Sequence, residues 1–277
     1  MPLVLTLKET SSIPLEVDSI RMETVRNQSV DEVKRTLIQR GNQQLPIGDF
    51  FDVSGSAADD SEIIWEGDCS RVKLIGEKLA TGRIRVNGNA GMHLGAEMTG
   101  GEIIVNGNVG DWLGAELHGG RIHVHGNAGH LVGAAYRGGR RGMTGGEILI
   151  DGNAGNEIGH TMRRGLIAVA GDIGDAAGFN MIAGTILLFG KSGIRHGAGM
   201  RRGTIGFLGS APAPEMLPTF RLSSPVRSLF LNLYFQELRA CNFPLNGCSD
   251  DAELLRYNGD FLETGLGEIF VRPQGAA

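Results

Sequence analysis

The apolar positions of this chain recur on a fixed spacing between residues 82 and 209. Glycines at 82, 101, 120, 146, 165, 184 and 203 open the same phrase, as in Gly101-Glu102-Ile103-Ile104-Val105-Asn106-Gly107. The steps between openings are 19, 19, 26, 19, 19 and 19 residues, so one repeat carries a seven-residue insertion. One apolar column reads Ile84, Ile103, Ile122, Ile148, Ile167, Ile186, Ile205, and a second, two residues on, reads Val86, Val105, Val124, Ile150, Val169, Leu188, Phe207. A two-residue spacing of β-branched side chains puts both on one face of a short strand. Further columns are Leu94, Leu113, Val132, Ile158, Ala177 and Met98, Leu117, Met143, Met162, Met181, Met200. Glycine columns separate them, as expected of a chain that turns every few residues.

A helix does not fit this pattern, because each glycine costs a helix about 1 kcal/mol relative to alanine. A leucine-rich repeat and collagen fail on their motifs. The pattern predicts an all-β chain: a right-handed parallel β-helix of about seven to eight 19-residue coils, with like residues stacked about 4.8 Å apart. Asn89, Asn108, Asn127 and Asn153, followed by Asp172 and Lys191, form a polar column suited to a hydrogen-bond ladder.

The flanks break the period, dividing the chain into an N-terminal cap (1–60), the coil (61–209) and a C-terminal strap (210–277). Val4-Leu5-Thr6-Leu7 alternates as a strand, and Ile13 to Val17 reads as a second. Ser29-Val30-Asp31-Glu32 is a capping box, predicting a helix with Val33, Leu37 and Ile38 on its apolar face. Gln39 to Gly48 is polar and reads as loop, and Glu62 to Asp68 as a degenerate first coil. Beyond Gly209, Ser224-Pro225 predicts a helix start, with Val226, Leu229, Phe230, Leu233 and Tyr234 as the packed face. Asn246-Gly247 predicts a turn, and Arg256 to Arg272 a loop and a final strand. The cap is thus expected to be α/β and the strap a helix plus a strand.

Composition sharpens this only in places. The glycine excess (44 of 277 residues) belongs mostly to the repeat. The net charge of −5 gives no broad attraction to nucleic acid. Three cysteines without a C-x-x-C pair point to a reducing, cytoplasmic setting rather than to a zinc or iron–sulfur site. No apolar run reaches the length of a membrane span.

Candidate chemistry is sparse. His118, His123 and His125 are the densest histidine group, and His123 and His125 share a strand face. Their column equivalents are Arg85 and Asn87, or Ile104 and Asn106, so they read as wall positions and no metal site or catalytic residue is assigned. Asp111, Asp172 and Asp175 lie on coil corners. No nucleophile motif or acidic cluster supports the carbohydrate-active enzymes that also use β-helices. The arginines stand out. Arg163-Arg164 and Arg201-Arg202 share column positions two coils apart, and the insertion adds Arg137, Arg140 and Arg141. Arginine forks suit carboxylates, whether on a ligand or on a partner surface.

The coil phrase, the Leu45-Pro46-Ile47-Gly48-Asp49-Phe50-Phe51 lead-in and the Tyr257-Asn258-Gly259-Asp260 and Gly267-Glu268-Ile269 tail resemble the C (gamma) subunit of formylmethanofuran dehydrogenase. They look most like its bacterial counterpart in the formyltransferase/hydrolase complex. The coil phrase alone is also similar to the structural β-helix of the glutamate synthase large subunit. The resemblance implies a non-catalytic scaffold beside a formyltransferase, a zinc amidohydrolase-like subunit and a further subunit. Such a complex moves a formyl group from formyl-tetrahydromethanopterin to a methanofuran-type carrier and hydrolyses it to formate. The archaeal redox version is the alternative within the family. No cofactor is expected on this chain, while the carrier and zinc are expected on the complex. The carrier's glutamyl tail, or a partner subunit, would then face Arg137, Arg140, Arg141, Arg163, Arg164, Arg201 and Arg202.

Overall fold

The computed structural model describes residues 1–245 and 253–273. The chain is mostly β. Its N-terminal part runs through β1 (Leu3–Leu7), β2 (Leu15–Glu16), α1 (Met22–Val25), α2 (Val30–Arg35), β3 (Leu37–Arg40), β4 (Gln43–Pro46) and β5 (Phe51–Ser54). The Ser29 capping box forms: the Ser29 hydroxyl accepts from the Glu32 N–H, and the Glu32 carboxylate accepts from the Ser29 N–H. The helix ends earlier than the sequence predicts. Leu37 and Ile38 belong to β3, which pairs antiparallel with β4 across the stretch expected to be loop. Thr36 adopts an extended ψ of 128°, and pairing with β2 and β4 overrides any helical tendency of the short apolar run.

The repeat forms β6 (Glu62–Glu66), β7 (Val72–Lys73), β8 (Arg83–Asn87), β9 (Glu102–Val105), β10 (Arg121–Val124), β11 (Glu147–Ile150), β12 (Leu166–Val169), β13 (Thr185–Leu188) and β14 (Arg202–Phe207). From β8 to β14 every neighbour pairs in parallel and in the register of the columns: Ile84 with Ile103, Ile122 with Ile148, Ile186 with Ile205. Isolated bridges repeat the stacking at a second place, Cys69–Ala90–Val109–Ala128. The isoleucine and methionine columns are buried, most of them completely. The asparagine ladder is present as a side-chain-to-backbone chain. Asn89 Oδ1 accepts from the Asn108 N–H at 2.9 Å, and the pattern continues through Asn127, Asn153 and Asp172 to the Lys191 N–H. A second ladder runs through Asp111, His130, Asn156 and Asp175 to the Ile194 N–H. It gives two of the corner aspartates a structural role.

The two kinds of glycine column serve different needs. Gly114 turns the chain at φ +59°, a region that glycine enters without steric cost. Gly126 has no such φ. There a Cβ would lie 2.5 Å from the Gly107 carbonyl oxygen, so glycine lets successive coils close on one another.

Both ends of the stack are covered. β1 runs parallel to β6 and β5 antiparallel to β1, with Phe51 edge-on to Trp65 at 5.2 Å. At the other end come β15 (Arg221–Leu222), α3 (Leu229–Ala240), β16 (Leu255–Gly259) and β17 (Leu266–Val271). β17 continues the parallel stack on β14, and β16 and β15 fold back antiparallel. The stretch expected to be loop before the final strand is therefore a strand. The predicted Asn246-Gly247 turn lies outside the described residues.

The helix of the strap differs from expectation twice. It begins at Leu229, because Val226 is held in a bridge to Leu254 by two backbone hydrogen bonds of 2.9 Å. It also buries a different stripe, Leu231, Phe235 and Leu238; of the predicted face Val226 and Tyr234 are half-buried against the same cluster, while Leu229 is 82% and Leu233 68% exposed. The helix is apolar on two sides, so spacing alone could not choose. The buried stripe packs on the outer wall of β11 to β13, against Leu149, Leu166, Ala168 and Leu187. Those strands are accordingly apolar on both faces, whereas β8 and β9 alternate.

Candidate functional site

The insertion begins at Tyr136, whose N–H is bound by the Glu116 carboxylate at 3.0 Å. It rejoins the stack where the Gly142 N–H donates to the Thr161 carbonyl and the Met143 N–H to the Gly133 carbonyl. Anchored at both ends, it presents Arg140 and Arg141 across a solvent-open cavity of about 660 Å³ from Arg163 and Arg164. Glu116, His118 and Thr144 complete the lining, with His118 Nδ1 2.7 Å from the Thr144 hydroxyl. Among the described residues, no carboxylate lies within ion-pair distance of these four arginines. The cleft is therefore a concentration of unspent guanidinium donors around one glutamate.

The remaining predicted arginines are placed elsewhere. Arg137 lines a neighbouring cavity of about 290 Å³ with Trp112, Tyr136, Glu157 and His160. Arg201 pairs with Glu263 of the tail at 3.2 Å, and its carbonyl accepts from the Thr264 hydroxyl. Arg202 opens β14 in register with Leu266. Two coils of separation, with Ile182 and Ala183 between, keep the Arg201-Arg202 pair out of the cleft.

Three rings stack beside the second cavity. Trp112 lies 5.4 Å from Tyr136 and 6.1 Å from His93, centroid to centroid. Burial, with Glu97, Glu77 and Glu116 nearby, pushes the Tyr136 hydroxyl up to about 12. The phenol thus stays neutral through the physiological range.

A second polar cluster lies on the outer wall, at the ends of β10 and β11. His123 Nε2 is 2.8 Å from Asp151 Oδ1, and His125 Nδ1 is 2.6 Å from Asp151 Oδ2. Burial pushes the Asp151 carboxyl up, but the hydrogen bonds from His123 and His125 outweigh it and hold the group below the usual carboxylate range. The sequence reading missed Asp151. The 26-residue step hides it, although counting across the insertion puts Asp151 in the column of His125. His118 stands apart from this cluster, at the arginine cleft.

Comparison with known proteins fits this architecture. The model of the GXGXG motif family matches residues 71–215, more than half of the chain. The C-subunit of the tungsten-containing formylmethanofuran dehydrogenase 2 of Methanothermobacter wolfeii is 43% identical over 97 residues, 34% of this chain and 36% of that protein. The C-subunit of the molybdenum-containing formylmethanofuran dehydrogenase 1 of Methanothermobacter marburgensis is 45% identical over 95 residues, 34% of this chain and 24% of that protein. The chain thus spans about a third or less of the length of these curated relatives. A likeness over the full length comes from a chain in the crystal structure of the formyltransferase/hydrolase complex (FhcABCD) from Methylorubrum extorquens in complex with methylofuran. It has a TM-score of 0.89 and 32% identity, covering 98% of this chain and 100% of that one. The protein is a GXGXG-motif member of the formylmethanofuran dehydrogenase C-subunit family. The arginine cleft and the histidine–aspartate cluster both lie within the matched residues, at the insertion and on the wall beside it. Among the described residues, no helix is long and apolar enough to cross a membrane.

Proposed function

We propose that this chain is the non-catalytic scaffold subunit of a cytoplasmic formyltransferase/hydrolase complex. The complex transfers a formyl group from formyl-tetrahydromethanopterin to a methanofuran-type carrier and hydrolyses it to formate. The observation that carries this reading is the full-length likeness to a chain of a complex solved with methylofuran. In it the chain is a right-handed parallel β-helix with residues 1–60 as cap, 61–209 as coil and 210–277 as strap. A formyltransferase, a zinc amidohydrolase-like subunit and a further subunit assemble on it, and the zinc chemistry belongs to the partner. The cleft of Arg140, Arg141, Arg163 and Arg164 is the surface suited to an anionic partner or to the carrier's glutamyl tail, since guanidinium forks pair with carboxylates. Arg137 in the neighbouring cavity, and Arg201 and Arg202 two coils on, are further candidate contacts for a partner or the carrier's tail.

Affinity purification of the tagged chain from its native host, followed by mass spectrometry, tests the reading. The expected result is co-purification of three partner subunits with formyltransferase and hydrolase activity, and neither activity in the chain expressed alone. A chain recovered without partners, or active alone, overturns it. The identity shared with dehydrogenase subunits favours a second reading, the C-subunit of a redox formylmethanofuran dehydrogenase. That version differs in requiring an electron carrier and in containing molybdenum or tungsten, both measurable on the same preparation.

A further inference from the structure

The His123, His125 and Asp151 side chains form a group the coil itself does not need. In the column of His123 the other coils carry Arg85, Ile104, Leu149, Ala168, Leu187 and Gly206, and in that of His125 they carry Asn87, Asn106, Asp151, Ala170, Phe189 and Leu208. In the His125 column Asn106 donates to Asn87 and Asn87 to Glu66, so amides suffice for the side-chain contact between coils there, and the strands pair in the same register whichever residue stands in either column; stacking does not select two imidazoles facing a carboxylate. Yet the three converge. Their potential ligand atoms all lie within 4.8 Å of one another, drawn from two adjacent coils. His123 is buried at the edge of the wall covered by α3, His125 is exposed, and Asp151 is intermediate.

We propose that His123 Nε2, His125 Nδ1 and an Asp151 carboxylate oxygen bind one divalent cation of borderline softness, zinc above all. Two imidazoles and one carboxylate are a recurrent donor set for zinc, with bonds of about 2.0–2.2 Å that leave tetrahedral ligand atoms roughly 3.3–3.5 Å apart. The hydrogen bonds of 2.6 and 2.8 Å open to that spacing as the ion replaces the two shared protons. Each neutral imidazole then carries its proton on its other ring nitrogen, His125 Nε2 toward solvent. Three protein ligands leave a fourth position, on the exposed His125 side, for water or a donor from a partner. His123 lies in β10, and His125 and Asp151 directly follow β10 and β11 with their N–H groups bonded to the Val105 and Val124 carbonyls, so the backbone is preorganised and only side chains adjust. An ion here clips the coil before the insertion to the coil after it, steadying the base from which Arg140 and Arg141 project.

Cobalt(II), a spectroscopic stand-in for zinc, tests this on the full-length chain. Titration at micromolar protein is expected to give the visible bands of a four- or five-coordinate ion, saturating at one equivalent per chain and bleached by one equivalent of zinc. His125→Asn installs the residue of the neighbouring coil and keeps the fold, verified by circular dichroism. It is expected to weaken cobalt binding at least tenfold, and Asp151→Asn likewise. His118→Asn, outside the cluster, leaves binding unchanged. Absence of the bands in the wild-type chain overturns the proposal. So does equal binding by wild type, His125→Asn and Asp151→Asn, which would place any bound cobalt on other surface groups. Should Asp151→Asn misfold, the wild-type spectrum and His125→Asn still decide.

Discussion

At the scale of single residues the coil is unforgiving, because every position is stacked on its own equivalents. Ile167 is fully buried between Ile148 and Ile186. An aspartate there would place an unpaired carboxylate in the core at a cost of several kcal/mol. Ile167→Asp is therefore expected to yield no soluble folded chain, and a soluble variant with the wild-type melting temperature would contradict the inward column. Gly126→Ala is subtler: its Cβ meets backbone on the coil below, which cannot rotate away. A loss of more than about 1 kcal/mol is expected in thermal or denaturant unfolding. Cys69 gives a chemical probe of the same packing. Burial, then Asp68 and Glu66, push its thiol up to about 12, and the thiolate is the reactive form. At pH 8 the peptide carrying Cys69 should stay unalkylated by iodoacetamide in the native protein and react fully in denaturant.

At the scale of elements, α3 decides how the wall is used. Phe235 is buried against the outer face of the later coils, with Leu231 and Leu238 on the same stripe. Truncating it to alanine is expected to cost about 3–5 kcal/mol, in the range of buried aromatic truncations. Leu233→Ala, on the opposite face, should stay within about 0.5 kcal/mol. A reversed order in chemical denaturation would mean that the helix packs by the stripe that spacing first suggested. Arg121 ties the same helix to the wall, with Nε 2.8 Å from Glu147 and a second contact to Glu237 of α3. Opposite signs alternate up the outer row, Arg83 to Glu102 and Arg121 to Glu147, so this row consumes its own charges.

At the scale of the whole molecule, four arginines without an ion pair among the described residues meet at one cleft: Arg140, Arg141, Arg163 and Arg164. Exposed charge contacts are individually worth under about 1 kcal/mol, so a test must combine them. Arg140, Arg141, Arg163 and Arg164 changed together to serine should leave the fold intact. In the assembled complex the change should raise the carrier's apparent KM several-fold and flatten its dependence on ionic strength. Failure to assemble would instead make the cleft a subunit interface. An intact complex with unchanged carrier kinetics at every salt concentration would leave the cleft without either role.

The sequence by itself determined what repetition determines. A residue returning every 19 positions must meet its own equivalent, so the isoleucine, methionine and asparagine columns, their register and the capped ends could be read before any coordinates. It also exposed the Ser29 capping box, whose bonds are local. Tertiary structure decided everything that depends on which surfaces meet. Leu37 and Ile38 join a sheet because β2 and β4 are there to pair with. The stripe buried by α3 follows from the apolar wall beneath it, and two apolar stripes on one helix cannot be ranked by spacing. Arg163 and Arg164 reach Arg140 and Arg141 because the insertion is anchored beside the next coil, while Arg201 is drawn to Glu263. Asp151 reaches His123 and His125 for the same reason: a 26-residue step in sequence is still one coil in space.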